Sequence, residues 1–508
     1  MYRNRFSFPA VFQSFYGFIQ RFPPFLHLMT KIRLFFYYGN QKGKKPYTFL
    51  GKDDILILLP PVLDFKSTGY DADYRLYCIL GGTMENKAFL DAILGLVSIE
   101  SIARVDVTPE APYGEGPAKA LDYVMKLCET LGIRTVNLGG KVAWAEIGQG
   151  EEIVGVLGHL DTVPAGSGWT HNPGGELCGD RLYGRGVADD KGPTLAALFA
   201  MKELQDAGVP LNRRVRLIFG QCEESGDWDD MNYYKQTQQL PVFGFTPDAD
   251  FPAIYGEKEI LNFQLSLPVP KSGLVRIEGG DAANMVADWC RCAYRAADGT
   301  EHTLETHGRS AHASTPEKGE NAITAMMEAL HEAGVASPLV DFYLAHIGSD
   351  LNGVKMGCGL EDVQSGKLTL NAGVLRTEGD EIVLTLDIRS PVTFNRAAVE
   401  TPIAAACAPY GITCRCTANE HPVYMDKNGK VVQAMVGIYR EYTGDDSEPT
   451  VIGGGTYARA MPGIVAFGPM RPGRECTEHQ KDEYLLVEDL LAAKEIYRKT
   501  IETLANLD

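Results

Sequence analysis

The chain has 508 residues, 45% hydrophobic and 22% charged, the composition of a soluble globular protein too long for a single core. A formal net charge of −18 with no offsetting basic stripe excludes a nucleic-acid partner. No uninterrupted apolar run reaches the roughly 18 residues of a membrane span, and eleven scattered Cys, with Cys290/Cys292 and Cys414/Cys416 as close pairs, point to reduced thiols in a cytoplasmic protein.

Residues 1–83 differ from the remainder. They hold 19 of the chain's 44 Phe and Tyr residues, and eleven Lys or Arg against five Asp or Glu. Their aromatics, from Phe6 to Tyr38, follow neither the helical nor the strand period for long. No clean apolar segment with a small-residue cleavage site marks a secretory signal. Leu80-Gly81-Gly82-Thr83 can be encoded by a string containing AGGAGGT, a bacterial ribosome-binding sequence, just ahead of an ATG for Met84. The expectation for 1–83 is a non-native or disordered N-terminal extension, an upstream reading frame joined to a protein that starts at Met84.

From Met84 the pattern is regular. Phe89, Leu90, Ile93, Leu94 and Val97 share one face and predict a helix over 87–102. A second helix, over 116–131, is stopped by Gly132. Alternation around Gly139-Gly140 predicts strands within 135–147, and the continuous apolar run 153–157 predicts a buried strand. A helix over 193–207 ends at Gly208. A second buried strand over 215–220 leads to Glu223-Glu224, and Asp248 follows a short apolar run at 242–245. Past Gly256 the texture changes. Residues 261–267 and 382–388 alternate, and helices are predicted at 282–296 and 321–333, which together suggest an α+β insert with an antiparallel sheet. From about His421 the first texture returns, with a helix at 431–443, a strand at 464–467 and a final helix at 487–507. The predicted fold class is α/β: a three-layer domain with a mostly parallel sheet, drawn from 84–257 and 421–508 and interrupted by an inserted α+β lid domain over 258–420.

Chemistry gathers at the C-terminal ends of the predicted strands, where α/β folds place ligands. His159 and Asp161 end the first, Glu223 and Glu224 the second, and Asp248 the third. Asp189 lies in the intervening Gly-bounded turn and His479 near the C-terminus. Singly, each has an ordinary reading, a hydrogen-bonded core His or an Asp capping the helix near Pro193. Jointly, Asp189, Glu223, Glu224 and Asp248 at one sheet edge would repel and raise each other's pKa unless cations neutralised them. Imidazole and carboxylate donors suit zinc, with cobalt or manganese as substitutes. Asp161, two residues from His159, is placed to accept its other ring N–H and fix the tautomer.

Gly158-His159-Leu160-Asp161, Gly184-Arg185-Gly186-Val187-Ala188-Asp189-Asp190-Lys191-Gly192 and Glu223-Glu224 resemble the signature of the co-catalytic zinc metallopeptidase family. That family includes acetylornithine deacetylase, succinyl-diaminopimelate desuccinylase, aminoacylase, glutamate carboxypeptidase and several dipeptidases. The resemblance runs from about Met84 to the C-terminus. It implies a zinc-peptidase-like catalytic domain with two Zn2+ per subunit. Asp189 is then the bridging ligand, His159 and Asp248 complete one ion, and Glu224 and His479 complete the other. It also implies Glu223 as the general base toward a metal-activated water, and a cis peptide bond at Asp189-Asp190.

The insert carries His312, in Ser310-Ala311-His312-Ala313-Ser314, which the resemblance implies reaches across to stabilise the oxyanion. His307 matches nothing in the motif. Asn284 and Arg389, with Gly453-Gly454-Gly455-Thr456-Tyr457-Ala458-Arg459, most resemble the bacterial dipeptidase V (Xaa-His, carnosinase-like) type. This implies substrate contacts from Asn284, His312, Arg389, Gly455, Thr456 and Arg459, with an Arg clamping the C-terminal carboxylate. The implied activity is cleavage of the amide bond of dipeptides, broad-specificity or Xaa-His, with a small peptide as substrate. The alternative is an N-acyl amino-acid deacylase using the same metals and base. A non-catalytic binding protein would be expected to have lost a ligand or the base, and none is missing. The lid is long enough to let a monomer close its own site, while many relatives dimerise through it, so monomer and lid-mediated homodimer both stay open.

Overall fold

The computed structural model describes residues 84–296 and 298–508, together with the two-residue strands Ile32–Arg33 and Ile55–Leu56. The chain divides into two compact units, Met1–Arg75 and Leu76–Asp508. In the first, the two short strands pair in parallel; the expectation for 1–83 otherwise lies outside the described residues.

The second unit begins with helix α1 (Met84–Val97), which buries Phe89, Leu90, Ile93 and Val97 as their spacing predicts. Helix α2 (Glu115–Leu131) ends at Gly132. There follow β1 (Arg134–Asn137), β2 (Ala143–Ile147), β3 (Ile153–His159), α3 (Lys191–Asp206) and β4 (Arg214–Gly220). Then come α4 (Asp229–Thr237), β5 (Phe243–Thr246) and β6 (Ile254–Glu257).

A second sheet is built from β7 (Glu259–Pro268), β8 (Leu274–Gly279), β9 (Trp289–Arg295), β10 (Glu301–His307), β11 (Thr369–Glu378), β12 (Glu381–Ser390) and β13 (Thr413–Glu420). Its order is β10-β9-β8-β11-β12-β7-β13, and every neighbour is antiparallel. Helices α5 (Ala322–Glu332), α6 (Pro338–His346) and α7 (Ala397–Cys407) supply apolar residues to the same core as the sheet. The alternating Leu261, Phe263, Leu265 and Leu267 of β7 are buried in that core, as a half-covered strand requires.

The helix predicted at 282–296 is a correction. Residues 282–288 form a loop, and β9 follows with Cys290, Cys292 and Tyr294 buried in alternation. Pairing on both sides, to β8 and β10, satisfies its backbone and overrides the helical look of the segment.

The chain then returns to the first sheet with β14 (Val423–Tyr424), α8 (Lys430–Thr443), β15 (Thr450–Ile452), β16 (Ile464–Ala466) and α9 (Val487–Ala505). Among the described residues that sheet runs β14-β6-β16-β5-β3-β4-β2-β1, with β15 also on β6. Strands β16, β5, β3 and β4 are its parallel centre, and the flanking pairs are mainly antiparallel. Val154 and Val156 of β3, with Val215, Leu217 and Phe219 of β4, join a core with α1, α2, α3, α8 and α9. Leu157 and Ile218 belong to a smaller cluster with Met231, Tyr234 and Tyr457. Both faces are covered, which is why β3 reads as an unbroken apolar run. Among the described residues no helix is long and apolar enough to cross a membrane, and ten cysteines are free thiols.

Candidate metal centre

The parallel neighbours β4, β3 and β5 end together, at Gly220, His159 and Thr246, so the residues just past them meet at one sheet edge. His159 Nε2 lies 2.9 Å from Asp189 Oδ1 and 3.7 Å from Asp248 Oδ2. His479 Nε2 lies 2.9 Å from Asp189 Oδ2 and 3.1 Å from Glu224 Oε2. Two donor triads result, His159/Asp189/Asp248 and Asp189/Glu224/His479, with Asp189 common to both. Each imidazole takes a different oxygen of that one carboxylate.

Charge is unbalanced there. Burial and then Asp189 push Asp248 well above, and Glu224 above, the ordinary carboxylate range. Burial also drives Glu223 well up, opposed by His159 and reinforced by Glu224 and Asp189. Burial opposes a charge on His159, yet its hydrogen bonds to Asp161 and Asp189 hold its pKa well above the imidazole value. His479 is pushed up to about 11 by its hydrogen bonds to Asp189 and Glu224. Asp189 stays well below its usual value, because both imidazoles bond to it against the effect of burial. The gathered carboxylates thus favour the cationic form of both imidazoles, the electrostatic signature of a site with excess negative charge.

Asp161 does more than its spacing suggested. Its carboxylate accepts the backbone N–H of Glu223 and of Glu224, each at 3.1 Å, and so fixes the two residues side by side. His159 Nδ1 lies nearer the Asp161 main-chain oxygen, at 3.1 Å, than its carboxylate, at 3.5 Å. The bond Asp189-Asp190 is cis, as the resemblance implies. Asp190 Oδ2 accepts the His159 N–H at 3.2 Å and the Thr194 hydroxyl at 2.8 Å.

Two acidic residues that sequence reasoning missed hold the centre in place. Glu483, fully buried, accepts the N–H of Gly186 at 3.1 Å and of Ala188 at 2.9 Å, and pairs with Arg185 at 2.5 Å. It thereby shapes the turn that presents Asp189. Asp230, also fully buried, accepts the Gln221 N–H and the Tyr457 hydroxyl, each at 2.6 Å, just ahead of Glu223. The Tyr457 ring stands edge-on to His159, 6.0 Å between centroids, and occupies the space a side chain at Gly220 would need. Neither acid carries a local signal, since each looks like a surface residue in a polar stretch.

The second sheet brings its candidates toward the same edge. Met285 bridges His312, and the Ala313 N–H donates to the Asn284 carbonyl at 2.8 Å, so Asn284 and His312 lie on adjoining loops. The buried Asn371 amide donates to the carbonyls on either side of Asn284, at 3.0 and 2.8 Å. A Cβ at Gly453 would lie 2.8 Å from that of Ser314, so the His312 loop touches the glycine loop. Arg389 is buried, with Nε and one terminal nitrogen on Asp387 at 2.6 and 2.8 Å and the other on the Gly453 carbonyl at 2.9 Å. Three of its five N–H groups are used, leaving two. His307 is exposed at the end of β10.

The polar side chains of the glycine loop are paired within the protein. Thr456 donates its hydroxyl to Glu257 Oε1 at 2.7 Å. Arg459 pairs with Glu257 Oε2 at 2.8 Å and donates to the carbonyls of Lys258, His421 and Gly454 at 2.7–2.8 Å. Those side chains are buried, and these bonds brace the crossings between the two sheets. Gly455 lies against Arg459, where a Cβ would meet its Nε at 2.7 Å.

The sequence matches Peptidase family M20/M25/M40 over residues 155–503. It is 35% identical over 432 residues to the Bacillus subtilis (strain 168) protein named "Putative dipeptidase YtjP", covering 78% of this chain and 92% of that one. A Staphylococcus haemolyticus (strain JCSC1435) protein, "Putative dipeptidase SH1171", is 34% identical over 454 residues, with 82% and 96% covered. Among solved structures, human carnosine dipeptidase 1 shares the fold at 15% identity and a TM-score of 0.55, over 85% of this chain and 99% of that one. With the match spanning both halves of the central sheet and every residue of the two donor triads, this chain belongs to Peptidase family M20/M25/M40 and is a metallopeptidase.

Proposed function

We propose that this chain is a dipeptidase that works with two divalent cations, Zn2+ first with Co2+ or Mn2+ as substitutes. The observation that carries the reading is the shared carboxylate: Asp189 gives one oxygen to each of two otherwise separate donor sets. His159 and Asp248 would complete one ion's ligands, Glu224 and His479 the other's. The donor chemistry fits, being two imidazoles and three carboxylates, of which burial and the charge of Asp189 hold Glu224 and Asp248 above the ordinary range. Cations held there would supply an acidified water near neutral pH and polarise the scissile carbonyl.

Glu223, held beside Glu224 by Asp161, is positioned to take the water's proton and hand it to the leaving amine. His312 keeps Nδ1 as an acceptor for the Ser314 N–H at 3.2 Å, which leaves Nε2–H to donate to the oxyanion. The two spare N–H groups of Arg389 are suited to a substrate carboxylate, and Asn284 lines the same loop pair. The catalytic domain is discontinuous, 84–257 and 421–508, with 258–420 as the lid; this is supported by a second sheet whose strands begin at Glu259 and end at Glu420. Dipeptides are favoured as substrates by the likeness to sequence relatives named putative dipeptidases, and Xaa-His dipeptides by the resemblance carried by Asn284, Arg389 and the Gly453–Arg459 loop.

The test is a substrate panel with purified, metal-supplemented protein. Free dipeptides should turn over, and N-acetyl and N-succinyl amino acids should not. Hydrolysis of the acylated amino acids with dipeptides untouched would reject the reading.

A further inference from the structure

The hairpin leading into the Asp189 turn carries another donor cluster. Its strands, Glu176–Cys178 and Arg181–Tyr183, pair antiparallel with Glu176 opposite Tyr183 and Cys178 opposite Arg181. The two-residue period sends Leu177 against the main core and puts Glu176 and Cys178 together on the other face. His171, from the preceding loop, stacks its ring on Tyr183 at 3.7 Å and 10°. Its Nδ1 lies 3.4 Å from Glu176 Oε2. Donor atoms of His171, Glu176 and Cys178 all fall within 4.8 Å of one another, and all three residues are half-buried.

The loop that delivers His171 is fixed. Asp482 Oδ1 accepts the N–H of Thr170 at 2.7 Å and of His171 at 3.0 Å, and Oδ2 accepts the Thr170 hydroxyl at 3.0 Å. Glu176 Oε2 accepts the Asn172 N–H at 2.9 Å. Arg181, opposite Cys178, has its guanidinium over the Tyr484 ring, 4.4 Å from the centroid.

We propose that His171, Glu176 and Cys178 form a further metal site, outside the Asp189 centre, for Zn2+ or a similar borderline divalent cation. One imidazole, one carboxylate and one thiol make a mixed N/O/S set that favours such ions over Mg2+ or Ca2+, and water completes the tetrahedron. Binding converts the thiol to a thiolate and releases its proton to solvent. The site's position gives it a structural effect. Arg181–Tyr183 runs on into the Asp189 turn and pairs with Tyr484–Leu486, which follows the His479 loop. A cation on this small sheet braces both segments that present Asp189 and His479.

The test is Co2+ titration of the metal-stripped full chain under a thiol-free reductant. A thiolate ligand gives an intense sulfur-to-cobalt charge-transfer absorption in the near ultraviolet, which a carboxylate–imidazole centre cannot produce. The band should report one bound Co2+ per chain in addition to those of the Asp189 centre and vanish in Cys178→Ser, which, when zinc-loaded, carries one metal fewer in native mass spectrometry. Glu176→Gln should weaken Co2+ binding at the band without abolishing the weaker d–d absorption of the other centre. No band at saturating Co2+, or a band that survives Cys178→Ser, overturns the proposal. A band without dipeptide turnover supports this site while counting against the dipeptidase reading.

Discussion

Adjacent residues at this centre have separable duties. The Asp161 carboxylate holds Glu223 and Glu224 by their amides, and their side chains then diverge, Glu224 to His479 and Glu223 to no other donor of the triads. Glu224→Ala should lose bound metal by elemental analysis. Glu223→Ala should keep its metal and lose about 10²–10⁴-fold in kcat. His312 offers a pH test. Partial burial, then the charges of Arg389 and His479, push its pKa down from 6.5 to about 4, so the ring is neutral at neutral pH. A folded pKa below the unfolded value means that the unfolded chain binds more protons between those limits. Stability should therefore fall as pH drops from about 6.5 toward about 4, and this component should be flat above that window. Comparing denaturant midpoints of the parent and His312→Asn across that range isolates it, because the variant lacks the component.

At the scale of elements, the segment after β4 is held from the far end of the chain. Asp230, at the start of α4, gathers the N–H groups of Gln221 and Cys222, at 2.6 and 3.2 Å, and the Tyr457 hydroxyl. Tyr457→Phe removes the one side-chain donor to a buried carboxylate. It should cost about 1–3 kcal/mol in chemical denaturation, with kcat falling more than KM rises because Glu223 is displaced. The misread element teaches a related point. The stretch 282–296 has the composition of a helix, but its Cys290, Cys292 and Tyr294 alternate, and two neighbouring strands supply the hydrogen bonds that settle its conformation.

At the scale of the molecule, the two sheets are joined where the chain crosses between them, near Lys258 and at Glu420–His421. Arg459 sits at both crossings, with donors on the carbonyls of Lys258 and His421 and its charge against the buried Glu257. Burial raises the pKa of Glu257, and Arg459 works to lower it. Arg459→Met strands that carboxylate and should cost about 3–5 kcal/mol of stability, measurable as a lower unfolding midpoint. The same change should raise KM for dipeptides, because the His312 loop of the second sheet rests on the glycine loop that Arg459 anchors.

Sequence by itself determined the features that are local or repeated. The unbroken apolar runs of β3 and β4, the amphipathic faces of α1 and α2, and the identity of the acids and imidazoles past the strand ends are written in short windows, since hydrophobic period and strand-end chemistry need no distant partner. Tertiary structure alone decided what those residues meet. Arg185 and Glu483 are 298 positions apart and Asp230 and Tyr457 are 227 apart, and no local pattern marks one half of such a pair for the other. It also decided that Arg459 serves the junction of the sheets. A guanidinium forms ion pairs equally well with a substrate or with the protein, and only the buried position of Glu257 selects between them.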